Sequence, residues 1–292
     1  MSNVLLLRSP IQEPTDRYEA AFLFAGYHPI SVPVLETVHI NLDALERIVQ
    51  AEPISKNYGG VILTSKRSCD ALGAALQSMK DLPSDYRTGL ALRTFLEAWS
   101  SVPFYVVGQG TGSALSELAE SYASIGFKPT NIRGEDAGTG ERLARFIVED
   151  YSTRDNKLFY LTGDKNRDTI PKILKEGGVD FQSLQVYNTQ GSSHFESNLE
   201  NAIASAVSKD WWIAYFAPSA AEFVTPILRK HFDLRAYQPP SDSSQNGHPK
   251  VAAIGPVTLK FLHDTLNLHV EVVPPQPTPE DLVDAISIHD HK

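Results

Sequence analysis

Short apolar runs alternate with amphipathic segments along nearly the whole chain. Asn3 to Leu7 is a strand of buried type closed by Arg8-Ser9-Pro10, and Tyr18 to Phe24 has helical spacing up to a stop at Gly26. Ile30 to Val38 reads as extended, because Pro29 and Pro33 forbid a helix there. Leu42 to Val49 repeats at helical spacing behind a cap-like Asn41. Gly59-Gly60 opens a strand over Val61 to Leu63, and Thr64-Ser65-Lys66-Arg67-Ser68 leads into a helix from Cys69 to about Met79. Asp81 to Ser101 breaks the alternation and reads as an insertion. The pattern then resumes with Phe104 to Val107, a Gly108-Gln109-Gly110-Thr111 turn, a helix through Leu118, the run Asn131-Ile132-Arg133, and a helix from Glu141 to Glu149. Strands and helices in turn predict an α/β fold of doubly wound parallel sheets.

The most informative stretch runs from Leu158 to Thr189. An apolar strand, Leu158 to Leu161, stops at Gly163; a polar loop carries Lys165, Asn166 and Arg167; Ile170, Ile173 and Leu174 then recur at helical spacing before Gly177-Gly178. The strand that follows ends in Tyr187 and Thr189, polar groups on a segment otherwise suited to burial. Beyond it, Trp211 to Phe216 and Val251 to Ile254 read as strands, each followed by a Gly, Ser or Thr turn and a helix, and Val270 to Val273 with a helix from Glu280 to Ile288 closes the chain. Gln238 to Pro249, rich in proline and serine, reads as a mobile surface loop.

The two halves match in order. An offset of about 152 to 154 lays Leu158 to Leu161 on Val4 to Leu7, Gly178 on Gly26, Val186 on Val34 and Thr189 on Thr37. Phe216 falls on Leu63 and Ser219 near Ser65 and Lys66; after the unequal insertions, Gly255 and Thr258 fall on Gly108 and Thr111, and Thr278 and Leu282 on Thr139 and Leu143. An internal duplication predicts two similar lobes.

Open parallel sheets bind ligands beyond the carboxyl ends of their strands. Those ends carry Arg8 and Ser9, Thr64, Ser65 and Lys66, Gly108 and Thr111, Gly163 with Asp164, Lys165, Asn166 and Arg167, Ser219, and Gly255 with Thr258. Helix capping accounts for any one of these hydroxyls. Together they also form a site of backbone donors, hydroxyls and a few cations suited to several carboxylates or phosphates.

Composition narrows the class. The chain has 292 residues, 42% hydrophobic and 21% charged, enough for two domains. One cysteine, Cys69, permits no internal disulfide and no Cys-rich metal site. A formal charge of -9 argues against nucleic acid as a partner. No charged-then-apolar leader opens the chain and no apolar run approaches a membrane span, which implies no membrane and a cytoplasmic location. The glycine turn at Gly108 to Ser113 lacks the third glycine of a dinucleotide fingerprint. Trp211 and Trp212 read as packing residues, and His289-Asp290-His291 as a solvated tail.

Five stretches, YGGVILTSKRS (58–68), FYVVGQGT (104–111), TGDKNRDTIPKILKEGGVDFQSLQVYNT (162–189), AYFAPSA (214–220) and VAAIGPVT (251–258), together resemble the uroporphyrinogen-III synthase family over nearly the whole chain. The resemblance implies two lobes with a cleft between them, one of residues 1–35 plus 190–292 and one of 41–184, joined by a two-stranded β connector at about 36–40 and 185–189. It implies a cofactor-independent lyase that closes hydroxymethylbilane to uroporphyrinogen III, with loss of water and inversion of ring D, in heme biosynthesis. It also allows a handover of substrate from hydroxymethylbilane synthase, and because no coiled-coil pattern or repeat of exposed apolar residues demands a partner, a monomer is expected. Tyr187 matches the family's cleft tyrosine, and Thr258, Ser65, Gly163, Arg167 and Ser219 match its binding positions; Val257 and Ala217 depart from the hydroxyl residues many relatives carry there. A two-lobed module that binds a polycarboxylate without turnover is the other reading of the same site chemistry.

Overall fold

Val4 to Leu7 are wholly buried, with Val4 and Leu6 packed on one side of their strand and Leu5 and Leu7 on the other. Burial on both faces is what a central parallel strand requires. In this computed structural model, which describes residues 1–11, 15–81, 90–151, 156–237 and 248–291, that strand is β1 (Asn3–Leu7). It leads into α1 (Arg17–Phe24), whose first turn is capped by the Asp16 carboxylate accepting from Tyr18 and Glu19 N–H. The helix ends at Gly26, in the left-handed region at φ 82°.

The extended segment expected over Ile30 to Val38 divides. β2 (His28–Ser31) pairs in parallel with β1, whereas β3 (Leu35–His39) joins the second sheet. Pro33 lies at the break, where a residue without an N–H cannot continue a ladder. α2 (Leu42–Val49) follows, but Asn41 does not cap it: the residue is left-handed (φ 54°) and its Nδ2 donates instead to the Gln185 carbonyl, 2.9 Å away.

The chain continues through β4 (Tyr58–Leu63), α3 (Lys66–Lys80), α4 (Leu90–Ser101), β5 (Phe104–Val106), α5 (Gln109–Tyr122), β6 (Ile132–Arg133), α6 (Gly140–Tyr151), β7 (Lys157–Gly163), α7 (Thr169–Glu176) and β8 (Phe181–Gly191). It ends with α8 (Phe195–Ala204), β9 (Trp211–Tyr215), α9 (Pro218–His231), β10 (Lys250–Ala253), α10 (Pro256–Asp264) and α11 (Pro279–Asp290). The strands form two sheets, ordered β10-β9-β1-β2 and β3-β8-β7-β4-β5-β6. Their contacts divide the chain into one unit of Met1–Glu36 and Gln190–Lys292 and another of Thr37–Thr189.

Each sheet is covered on both faces. In the second unit Val61, Leu63, Phe159 and Leu161 face one core, and Ile62, Leu158 and Tyr160 face the other. α4 belongs to the first of these cores: Leu96 and Trp99 are buried, and Trp99 Nε1 donates to the Ala51 carbonyl. The segment expected as an insertion therefore supplies core from Leu92 onward, while residues 82–89 fall outside the described residues. So does most of the expected Gln238 to Pro249 loop, residues 238–247. α8 was not expected, although Phe195, Leu199 and Ala202 form its buried stripe.

The duplication is visible in the topology. β2-β1-β9-β10 and β8-β7-β4-β5 have the same order, and Val272 bridges β10 in parallel where β6 flanks β5. Helix starts match in the same way. Thr139 Oγ1 accepts from Arg142 N–H as Thr278 Oγ1 accepts from Asp281 N–H. The Ser65 cap of α3 has φ −154°, ψ 144°, and the Ala217 cap of α9 has φ −156°, ψ 147°. This pairs Ala217 with Ser65 and Ser219 with Arg67, one residue beyond the Ser65 and Lys66 that the sequence offset placed it near.

The C-terminal tail is docked rather than solvated. The Asp290 carboxylate accepts from Tyr27 OH and Trp212 Nε1, each at 3.0 Å, and pairs with Lys250. Burial pushes the Asp290 carboxyl up, but the hydrogen bonds from Lys250, Trp212 and Tyr27 outweigh it and hold it below its ordinary range.

Two outcomes are expected. Ala217→Ser supplies the missing cap oxygen in a backbone already set for it and raises unfolding stability by about 1 kcal/mol in denaturant titration. Asp290→Asn lowers stability at neutral pH by roughly 1–3 kcal/mol. A depressed carboxylate stabilises above its unfolded pKa of ~3.9 and ceases to do so as pH falls through the lower folded value, so the deficit closes in strong acid.

Candidate functional site

The site of the second unit begins with a slip in one ladder. Along β7 and β8, Thr162 pairs with Gln185 but Gly163 pairs with Tyr187, leaving Val186 as the extra residue. Val186 turns into the core, fully buried, and the Tyr187 ring lies directly over Gly163. A Cβ on residue 163 would stand 2.2 to 2.6 Å from that ring, so only glycine admits it. On another side of the ring, the Arg67 guanidinium lies 5.8 Å from the centroid and donates through Nη1 to Thr189 Oγ1 at 3.2 Å. Tyr187 and Thr189, two apart on a strand, share a face, so Arg67 holds both.

The carboxyl ends of β4 and β7 and the starts of α6 and α7 enclose an open pocket of about 520 Å³. Thr64 and Ser65 line it from β4, Gly163, Lys165, Asn166 and Arg167 from the end of β7, and Tyr187 from β8. The helices starting at Lys66, Gly140 and Thr169 put their positive dipole ends at this end of the sheet. Ser65 both caps and lines: its Oγ accepts from Arg67 N–H at 3.1 Å, leaving the hydroxyl proton for another acceptor. The capping and binding readings of this serine are therefore compatible.

Other expected residues lie elsewhere. Lys66 is the exposed first residue of α3, Thr111 is buried in the first turn of α5, and Asp164 is exposed outside the pocket lining. In the first unit Arg8 and Ser9 follow β1, Ser219 follows β9, and Gly255 and Thr258 follow β10; these three strands are neighbours. Arg8 is engaged there in an ion pair with Asp16 at 2.6 Å and lies over the Tyr18 ring. Thr258 is buried, Ser9 and Ser219 are exposed, and Gly255 caps α10.

Sequence reasoning missed several residues of the pocket. Tyr160 forms part of its wall, with its OH donating to Asn166 Oδ1 at 2.9 Å. Burial pushes this phenol upward, against hydrogen bonds with Thr64 and Asn166 that lower it. A tyrosine within an otherwise apolar central strand was the available signal, because its hydroxyl needs a partner. Thr139 and Glu141 also line the pocket, where Glu141 pairs along its helix with Arg145 at 3.0 Å. Among the described residues no group of three or more His, Cys, Asp or Glu is placed to hold a metal ion, and no helix is long and apolar enough to cross a membrane.

The local packing makes one substitution decisive. Gly163→Ala is expected to swing Tyr187 away and to destabilise by about 1–3 kcal/mol, as overpacking does. A crystal structure of the variant with Tyr187 still over residue 163 would contradict this.

Comparison with known proteins found matches of three kinds. The family profile described as uroporphyrinogen-III synthase HemD matches residues 16–284. A uroporphyrinogen-III synthase of Saccharomyces cerevisiae is 29% identical over 296 aligned residues, covering 98% of this chain and 96% of its own. Among solved structures, a uroporphyrinogen-III synthetase from Helicobacter pylori matches with a TM-score of 0.47 at 16% identity, covering 99% of this chain and all of its own. A mutant uroporphyrinogen III synthase from Thermus thermophilus matches with a TM-score of 0.41 at 16% identity, covering 100% of this chain and 99% of its own.

Proposed function

This chain belongs to the uroporphyrinogen-III synthase family, and on that premise we propose which of its residues carry the reaction. The activity is a cyclising loss of water from a small tetrapyrrole in heme biosynthesis. The substrate is hydroxymethylbilane, taken up by a cytoplasmic monomer from the synthase that releases it. No cofactor takes part.

The chemistry asks little acid–base power of the protein. An electron-rich pyrrole expels the hydroxyl of its hydroxymethyl group once that oxygen accepts a proton or a strong hydrogen bond, leaving an azafulvene cation and water. Attack by the substituted carbon of ring D on the exocyclic carbon gives a spiro intermediate. Its breakage and reclosure at the other position inverts ring D, and loss of the ring proton restores the pyrrole. Unaided closure gives the uninverted isomer, so the protein's work is chiefly to hold one geometry.

Tyr187 donates to the departing hydroxyl. The observation that carries this role is its placement: a phenol at the pocket wall, seated on Gly163 and flanked by Arg67, is fixed in orientation by packing on two sides. Lys165, Arg167, the Thr64 and Ser65 hydroxyls and the helix starts take up substrate carboxylates in the second unit. In the first unit Ser9, Ser219, Gly255 and Thr258 act similarly at the ends of β1, β9 and β10, and Arg8 contributes charge from its pair with Asp16. Lys66 and Asp164, exposed outside the pocket lining, act at the periphery.

Freshly generated hydroxymethylbilane is expected to yield isomer III, resolved from isomer I by chromatography after oxidation. Isomer I alone at high protein concentration would end the enzymatic reading and leave a binding module. Tyr187→Phe is expected to cut kcat by roughly a hundredfold, the low end of the usual span of a positioned proton donor, with a smaller change in KM. Wild-type turnover in that variant would reassign Tyr187 to packing.

A further inference from the structure

The pocket contains a second phenol that the reaction above does not use. Tyr160 belongs to β7, and its ring is fully buried against Ile62, Leu158 and their neighbours. Its oxygen reaches the pocket wall, donating to Asn166 Oδ1 at 2.9 Å. Thr64, which follows β4, lines the same pocket. A phenol has a single proton to give. With that proton on Asn166 Oδ1, the phenol oxygen can only accept from any further neighbour, and the direction of the Tyr160–Asn166 bond is fixed.

Direction matters at the far end. An asparagine amide carries an acceptor and a two-proton donor on opposite sides, and either can face a ligand. Here the oxygen is engaged by Tyr160, while Nδ2 has no partner among the described residues. Asn166 itself is exposed, in the loop that also carries Lys165 and Arg167 into the pocket lining.

We propose that Tyr160 is a positioning residue for an acidic substrate: by engaging Asn166 Oδ1 it presents the Asn166 Nδ2 protons to a substrate carboxylate. The buried ring gives the loop a rigid anchor, and the hydroxyl sets the amide's polarity. Lys165 and Arg167 contribute charge, whereas the Tyr160–Asn166 pair contributes an oriented neutral donor. This deepens the functional reading given above and rests on it for the identity of the acid.

The test measures affinity and turnover separately. Uroporphyrin, an octacarboxylate tetrapyrrole that is not turned over, serves as the binding probe by quenching of its fluorescence, and hydroxymethylbilane gives KM and kcat. Tyr160→Phe and Asn166→Ala are each expected to weaken probe binding and raise KM roughly tenfold, the scale of one hydrogen bond to a charged group, with the loss in KM rather than kcat. The double variant is expected to be no worse than either single one. Asn166→Asp, which removes the donor and adds a like charge, is expected to bind more weakly than Asn166→Ala. Probe binding unchanged by Tyr160→Phe, or single effects that multiply in the double variant, would overturn the proposal. Because Asn166 is exposed, its variants report even if Tyr160→Phe folds poorly. Lack of isomer III from wild type, with these binding changes intact, would fail the enzymatic reading and leave this inference standing.

Discussion

The ladder between β7 and β8 is the constraint on which the second unit's chemistry depends. β7 is covered on both faces, with Leu158 and Tyr160 in one core and Phe159 and Leu161 in the other, so its polar functions are confined to its carboxyl end. There the slip at Thr162/Gly163 lets Val186 stay buried while Tyr187 lies over a residue with no side chain. An unslipped strand would pair Gly163 with Val186 and turn Tyr187 to the opposite face, away from Gly163. The same glycine therefore allows the ladder to end, seats the phenol and opens the loop that carries Lys165, Asn166 and Arg167.

Duplication explains why such a site can be built from short permissive motifs. The two sheets share strand order and helix-start geometry, yet each unit takes strands from both halves of the chain: β1 and β2 pair alongside β9 and β10, and β7 and β8 alongside β4 and β5. What the copies kept is backbone conformation, seen in the nearly identical cap dihedrals of Ser65 and Ala217. What they did not keep is side-chain chemistry, since one cap has an oxygen and the other does not. Thr111 and Thr258 remained buried in equivalent first turns.

Legibility followed the range of the interaction. β1, β4, β7 and β9 were readable because central parallel strands are continuous apolar runs, and the turns after them because Gly, Ser and Thr are the residues that helix starts favour. The division of Ile30 to Val38 into strands of different sheets was not readable, since an extended segment does not say which neighbour will pair with it. Asn41 looks like a cap in sequence, but a carbonyl at Gln185, distant in the chain, competes successfully for its amide. The docking of Asp290 depends on Tyr27, Trp212 and Lys250 meeting at the amino ends of three strands, a tertiary coincidence hidden in a tail of ordinary composition. Tyr160 escaped for the opposite reason: its strand was so clearly apolar that its hydroxyl went uncounted.

Distance reconciles the net charge of -9 with an enzyme for a polyanionic tetrapyrrole. At physiological ionic strength, charges more than about 8 Å from a solvent-exposed group are largely screened, so the total matters less than what lines the pocket. That lining holds Lys165 and Arg167 against the single carboxylate of Glu141, which is paired with Arg145, and surrounds them with hydroxyls and helix starts. On the proposed assignment of this pocket to the substrate, neutral donors and partial charges suit a molecule whose carboxylates must be held while its pyrrole ring turns over. A pocket crowded with lysines and arginines would grip those groups tightly in the ground state and gain nothing as the ring inverts, because binding shared equally by substrate and transition state leaves the barrier between them unchanged.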